Sequence, residues 1–133
     1  MDSDTMKIVI VEDSGLIRAL LKEILEAEGF RDITVFGDPL EALDALREAP
    51  PPDMVISNYK MPRVNGVELL DRLSALFPRV GGVIVTGNPE LLAKEPDVRY
   101  PVLDKGHIAF HRQLIETIRR VVPLSKSDSA LPH

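Results

Sequence analysis

Five times along this chain a short, unbroken apolar run is followed by a stretch whose apolar residues recur every three or four positions. A run without polar alternation fits a strand covered on both faces, and the 3.6-residue period that follows fits a helix lying on it. The strand candidates are "KIVIV" (Lys7 to Val11), "DITVF" (Asp32 to Phe36), "DMVIS" (Asp53 to Ser57), "GVIVT" (Gly82 to Thr86) and "YPVLD" (Tyr100 to Asp104). Strand–helix units of this length join parallel strands by right-handed crossovers, with helices on both faces of the sheet. The fold class is therefore α/β, a doubly wound (βα)5 arrangement around a five-stranded parallel sheet.

The helices carry their own start and stop signals. Leu16, Ile17, Leu20, Leu21, Ile24 and Leu25 form the first apolar stripe, with Ser14 as its cap and Gly29 as its stop. "DITVF" is the more polar strand and is expected at a sheet edge. Asp38-Pro39 opens the second helix, which runs through Leu40, Leu43 and Leu46 until Pro50-Pro51-Pro52. Val67, Leu69, Leu70, Leu73 and Leu76 mark the third helix. The fourth is weak: Asn88-Pro89-Glu90 can start it, but Pro96 limits it to about two turns. Leu114, Ile115, Ile118, Val121 and Val122 give the last helix its stripe. Residues 6–122 make one domain, with 1–5 as an N-terminal extension and 123–133 as a disordered tail or the start of a linker.

Composition removes several functional classes. The chain has 133 residues and a net charge of −5, which disfavours a general nucleic-acid surface and favours a cation or a basic protein patch. It has no cysteine, so structural disulfides and thiolate metal sites are excluded. No run approaches the ~20 apolar residues of a membrane span, and the acidic N-terminus does not read as a signal peptide. The expected location is the cytoplasm.

In parallel α/β sheets the functional crevice lies outside the carboxyl ends of the strands. Here those ends carry Glu12-Asp13, Asn58, Thr86 and Lys105. Two adjacent carboxylates suit Mg²⁺, which takes one or two carboxylates and keeps several waters. Lys105 supplies a point charge for a phosphoryl oxygen, Thr86 a hydroxyl, and Gly87 leaves room beside it. Each feature alone has an ordinary structural reading: solvated acids, a β-forming Thr, a surface Lys, an Asn65-Gly66 turn. Their joint placement at the ends of different strands suits phosphoryl transfer, which needs positioning and charge neutralisation. A flavin- or nucleotide-binding protein on such a fold would need a glycine-rich loop after the first strand, and "EDSG" is acidic there.

With those residues in view, the chain resembles the receiver domains of two-component response regulators, including the chemotaxis receivers, over about residues 6–122. "IVIVEDS" resembles the family's opening strand and acidic pair, "DMVISNYKMPRVNGVELL" its third strand and following loop, "VIVTG" its fourth-strand Thr, and "PVLDKG" its fifth-strand Lys. The resemblance implies a flavodoxin-like fold with strand order 2-1-3-4-5. It also implies a non-enzymatic, Mg²⁺-dependent switch that accepts a phosphoryl group from a histidine kinase or phosphotransfer protein and acts on a downstream protein target, as a monomer or weak homodimer. Residue by residue, Glu12 and Asp13 fall on the metal-binding acids, Lys60 on the residue that offers its backbone carbonyl to the metal, Thr86 and Gly87 on the switch hydroxyl and its small neighbour, and Lys105 on the phosphate-binding lysine.

Asn58 falls on the phosphoacceptor aspartate. Its amide oxygen has no formal charge and an O-phosphorylated amide is not a stable product, so ordinary aspartyl phosphorylation is not expected. Mg²⁺ affinity should fall with the lost carboxylate. Gly106 stands where the family commonly has proline after the lysine, and Val102 where it has a switch aromatic, Tyr100 being two residues too early. An ordinary receiver with its aspartate replaced by design would show only the first departure, so the others favour a naturally atypical receiver. The expected function is a single-domain response regulator acting through protein–protein contacts. The alternatives are a phosphorylation-independent scaffold on the same fold and an ordinary receiver whose acceptor was replaced by design.

Overall fold

The computed structural model describes residues 5–95 and 98–130, with 122–130 described as backbone only. The elements follow in the order β1 (Lys7–Val11), α1 (Gly15–Ala27), β2 (Asp32–Phe36), α2 (Pro39–Arg47), β3 (Met54–Asn58), α3 (Gly66–Leu76), β4 (Gly81–Thr86), a 3₁₀ helix (Pro89–Lys94), β5 (Val102–Asp104) and α4 (Phe110–Ala130). All strand pairs are parallel and the sheet order is β2-β1-β3-β4-β5. This is the flavodoxin-like arrangement.

The strict two-residue period of a strand divides the core into two layers. Ile8, Ile10, Met54, Ile56, Val83 and Val85 point to one face, where Leu21, Ile24 and Leu25 of α1 and Leu114, Ile115 and Ile118 of α4 cover them. Val9, Val11, Val55 and Ile84 point to the other, under Leu43 and Leu46 of α2 and Leu69, Leu70 and Leu73 of α3. β1, β3 and β4 are buried almost throughout, whereas β2 alternates between exposed and half-buried, as its polar sequence and edge position require.

Local signals set the ends of α1. The Ser14 hydroxyl accepts a hydrogen bond from the Ile17 backbone N–H at 3.3 Å. At the other end Gly29 takes a φ of 96°, a left-handed value that glycine adopts without a Cβ clash. Its N–H donates to the Glu26 carbonyl at 3.0 Å and that of Phe30 to the Leu25 carbonyl at 3.1 Å, closing the helix with Phe30 buried.

Three expectations change. The fifth strand starts at Val102, two residues later than Tyr100, because Pro101 has no N–H to give a ladder; its carbonyl still accepts from Ile84 at 2.9 Å. The fourth crossover is a six-residue 3₁₀ helix with Pro89 in its first turn and Leu92 as its buried anchor. It ends at Lys94, and Pro96, expected to stop it, lies outside the described residues. The segment 123–130, expected as a disordered tail or the start of a linker, continues α4 as helical backbone. Propagation fixes one residue per added hydrogen bond, and Pro123 removes one donor from that ladder. Residues 1–4 and 131–133 of the expected extension and tail also lie outside the described part.

Candidate functional site

The carboxyl ends of β1, β3 and β5 deliver Glu12, Asp13, Asn58 and Lys105 to one hydrogen-bonded cluster. Glu12 directly follows β1 and is 1% exposed. Its Oε1 accepts from Lys105 Nζ at 3.0 Å and its Oε2 from the Ser14 backbone N–H at 3.1 Å. Both carboxylate oxygens of this buried acid thus have a donor, which burial of a charge demands. The Glu12 backbone carbonyl accepts from Arg18 Nη1 at 2.8 Å. Arg18 was not singled out from the sequence. One helical turn past Ser14, it leans back over the acidic loop, and its guanidinium passes so near Gly37 that a Cβ there would lie 2.8 Å from it.

Asn58 is the last residue of β3 and sits at the centre. Its Nδ2 donates to Asp13 Oδ1 at 3.0 Å and to the Lys60 backbone carbonyl at 2.9 Å. Its Oδ1 accepts from Lys105 Nζ at 3.1 Å. The orientation is fixed by chemistry, since a rotated amide would put its amino group against the Lys105 ammonium and its oxygen against two acceptors. The loop from Tyr59 to Asn65 folds back under this residue. Gly66 N–H donates to the Tyr59 carbonyl at 2.7 Å, and a Cβ on Gly66 would come within 2.3 Å of the Asn58 carbonyl oxygen. Asn65, read from the sequence as part of a turn, caps α3 and exchanges hydrogen bonds with Glu68 in a capping box.

Thr86 and Gly87 lie at the end of the neighbouring β4. The Thr86 hydroxyl accepts from the Asn88 backbone N–H at 3.1 Å and so ties down its own loop. Nothing lies within 4 Å of where a Gly87 Cβ would stand, so the pocket is open beside it. The Thr86 carbonyl accepts from Lys105 N–H at 2.8 Å, which sets the lysine's position on β5. Val102 is half-buried and packs into the apolar layer beneath α2 and α3. Tyr100 packs there as well, and its hydroxyl donates to Asp71 Oδ1 on α3 at 2.5 Å. Burial and that carboxylate raise the Tyr100 pKa, while the same hydrogen bond, with Arg99 beside it, lowers that of Asp71. Tyr100 is thus held against α3 and does not substitute for an aromatic at position 102. Next to Asn58, the Tyr59 hydroxyl donates to Glu95 Oε1 at 2.6 Å, a bond that raises its pKa and fastens the 3₁₀ segment to the end of β3.

The sequence pattern of the response regulator receiver domain matches residues 8–96. The chain belongs to this family. It is 33% identical over 108 residues to a protein-glutamate methylesterase/protein-glutamine glutaminase of Hydrogenovibrio crunogenus, covering 79% of this chain and 27% of that protein. It is 29% identical over 136 residues to an uncharacterised response regulatory protein of Staphylococcus epidermidis, covering 96% of this chain and 53% of that one. The chain therefore spans between about a quarter and a half of the length of these relatives. Among solved structures, a response regulator receiver domain protein from Clostridium thermocellum superposes with a TM-score of 0.77 at 24% identity, covering 91% of this chain and 97% of that one, a likeness of fold.

Receiver domains usually bind Mg²⁺, so the oxygens of this pocket can be tested against that ion. Asp13 Oδ1 and the Lys60 carbonyl face the amino group of Asn58, and both Glu12 oxygens face donors. The one oxygen Asn58 could lend to a cation faces Lys105. Among the described residues no group of three His, Cys, Asp or Glu side chains is placed to hold a metal ion. With those bonds made, only the second oxygen of the exposed Asp13 carboxylate stays outside them, and one carboxylate oxygen beside the Lys105 ammonium does not suit a divalent cation.

Proposed function

We propose that this receiver domain works in two-component signalling by protein–protein contact, without forming an aspartyl phosphate at residue 58. The observation that supports the reading is the position of Asn58. It ends the central strand hydrogen-bonded to Asp13 and Lys105, and the resemblance in sequence assigns this position to the family's acceptor aspartate. A carboxylate nucleophile attacks phosphorus with a charged oxygen. The Asn58 amide oxygen is neutral, and one of its lone pairs already accepts from the Lys105 ammonium. The roles that go with this reading are Glu12 and Asp13 as the acidic pair, the Lys60 carbonyl beside them, Thr86 with Gly87 as the switch position, and Lys105 as the anion-facing cation.

The partners are a histidine kinase or phosphotransfer protein and a downstream protein target, met by a monomer or weak homodimer. Residues 6–122 form the receiver, and the helical backbone of 123–130 continues from it. The module is a binding switch, with no substrate turned over in its pocket. Intact mass after incubation with Mg²⁺ and a small phosphodonor tests this. The chain with Asn58 should gain no phosphoryl mass, and Asn58→Asp should gain one; phosphoryl mass on the Asn58 chain overturns the reading.

A further inference from the structure

We infer that the amino group of Asn58 takes over the electrostatic role of a divalent cation, so that the acidic pocket is closed by an internal donor and is indifferent to Mg²⁺. The inference rests on reading this pocket as the receiver's acceptor site, and it concerns how that site is regulated.

A carboxylate at position 58 would direct acceptor oxygens at Asp13 Oδ1 and at the Lys60 carbonyl, and acceptors that face one another need a cation between them. Asn58 replaces one acceptor with an NH2 group, which has two hydrogens to give. Both have takers, Asp13 Oδ1 at 3.0 Å and the Lys60 carbonyl at 2.9 Å. The remaining oxygen keeps the position a carboxylate oxygen would hold toward Lys105 Nζ, at 3.1 Å. The same Nζ meets Glu12 Oε1 at 3.0 Å, and Glu12 Oε2 is taken by Ser14 N–H.

Three loops are thereby tied to one side chain: the β1–α1 loop through Asp13, the β3–α3 loop through Lys60, and the end of β5 through Lys105. Entry of a cation would have to break both bonds made by Nδ2 and rotate the amide toward the lysine. That rotation sets an amino group against an ammonium in a pocket where Asn58 is 9% exposed. Mg²⁺ also gives up its own waters reluctantly. The closed arrangement therefore prevails over metal binding.

The test compares the chain with its Asn58→Asp variant by thermal unfolding and by ¹H–¹⁵N spectra across a Mg²⁺ titration. The Asn58 chain should keep the same melting temperature throughout. Its Asn58 side-chain NH2 pair should stay protected from exchange and should not shift. Asn58→Asp should melt lower without metal and rise by about 4 °C when Mg²⁺ reaches roughly ten times its Kd. If Mg²⁺ moves the Asn58 NH2 resonances, or raises the melting temperature of the Asn58 chain as it does that of Asn58→Asp, the inference falls. The spectra of the Asn58 chain decide the matter even if the variant folds poorly. Metal binding without phosphoryl mass would overturn this inference and leave the proposed function standing; phosphoryl mass without a metal response would do the reverse.

Discussion

Glu12 is a fully covered carboxylate paired with Lys105, itself partly shielded with 19% of its side chain exposed. Removing one partner of such a pair leaves the other desolvated and unpaired. Lys105→Met should therefore lower unfolding free energy by about 2–3 kcal/mol, somewhat below the cost for a completely buried pair because water reaches the lysine. Adding Glu12→Gln to Lys105→Met should recover part of that loss, which urea unfolding of the two variants will show. Recovery of nothing would mean that Lys105 acts through packing and not through charge. Gly87→Ala is the contrasting case. A Cβ there meets nothing within 4 Å, so stability should stay within about 0.5 kcal/mol of the parent. The identities of Glu12, Asp13, Asn58, Thr86 and Lys105 were all legible in the sequence, since each follows or ends an apolar run. What each one touches was not, because Arg18 and the backbone N–H of Ser14 reach the pocket through the path of a loop that no spacing rule describes.

At the scale of elements, caps and close approaches decide where helices begin. Ser14→Ala removes the hydroxyl that receives the Ile17 N–H and should cost about 1 kcal/mol, with the same loss in thermal and denaturant unfolding. Gly66→Ala is the sharper case, because alanine is ordinarily the better residue in a helix. Here its Cβ would stand 2.3 Å from the Asn58 carbonyl oxygen, so the backbone of β3 or the start of α3 must move. We expect a loss of about 3 kcal/mol or more. A neutral or stabilising Gly66→Ala would show that the loop yields easily. The strands and helices themselves were readable from periodicity. Their ends were displaced where a neighbour intervened: Pro101 delays β5, and Pro89 with only six residues makes the fourth crossover 3₁₀.

Across the molecule, the Tyr100–Asp71–Arg99 group joins the approach to β5 to the outer surface of α3. The Tyr100 hydroxyl and then Arg99 hold the Asp71 carboxyl below its ordinary 3.8, so the folded chain keeps it ionised to lower pH than the unfolded chain does. The stabilisation is therefore present in full above pH 3.8 and fades as pH falls below it, toward the lowered folded value. Because the group is largely exposed, its worth is under about 1 kcal/mol. Tyr100→Phe should lower stability near neutrality and converge with the parent on acidification, as urea midpoints measured along a pH series will reveal. The opposite trend would mean that the bond does not favour the carboxylate. By itself the sequence determined the layered α/β plan, the edge position of β2 and the set of residues at the strand ends, because side-chain period and local caps act over a few residues. Tertiary structure alone decided that the Asn58 amide faces Asp13 and Lys60 with its nitrogen and Lys105 with its oxygen. That choice depends on the Lys60 carbonyl two residues on and on groups 45 and 47 residues away, and these last two reach Asn58 only when β1, β3 and β5 share one sheet.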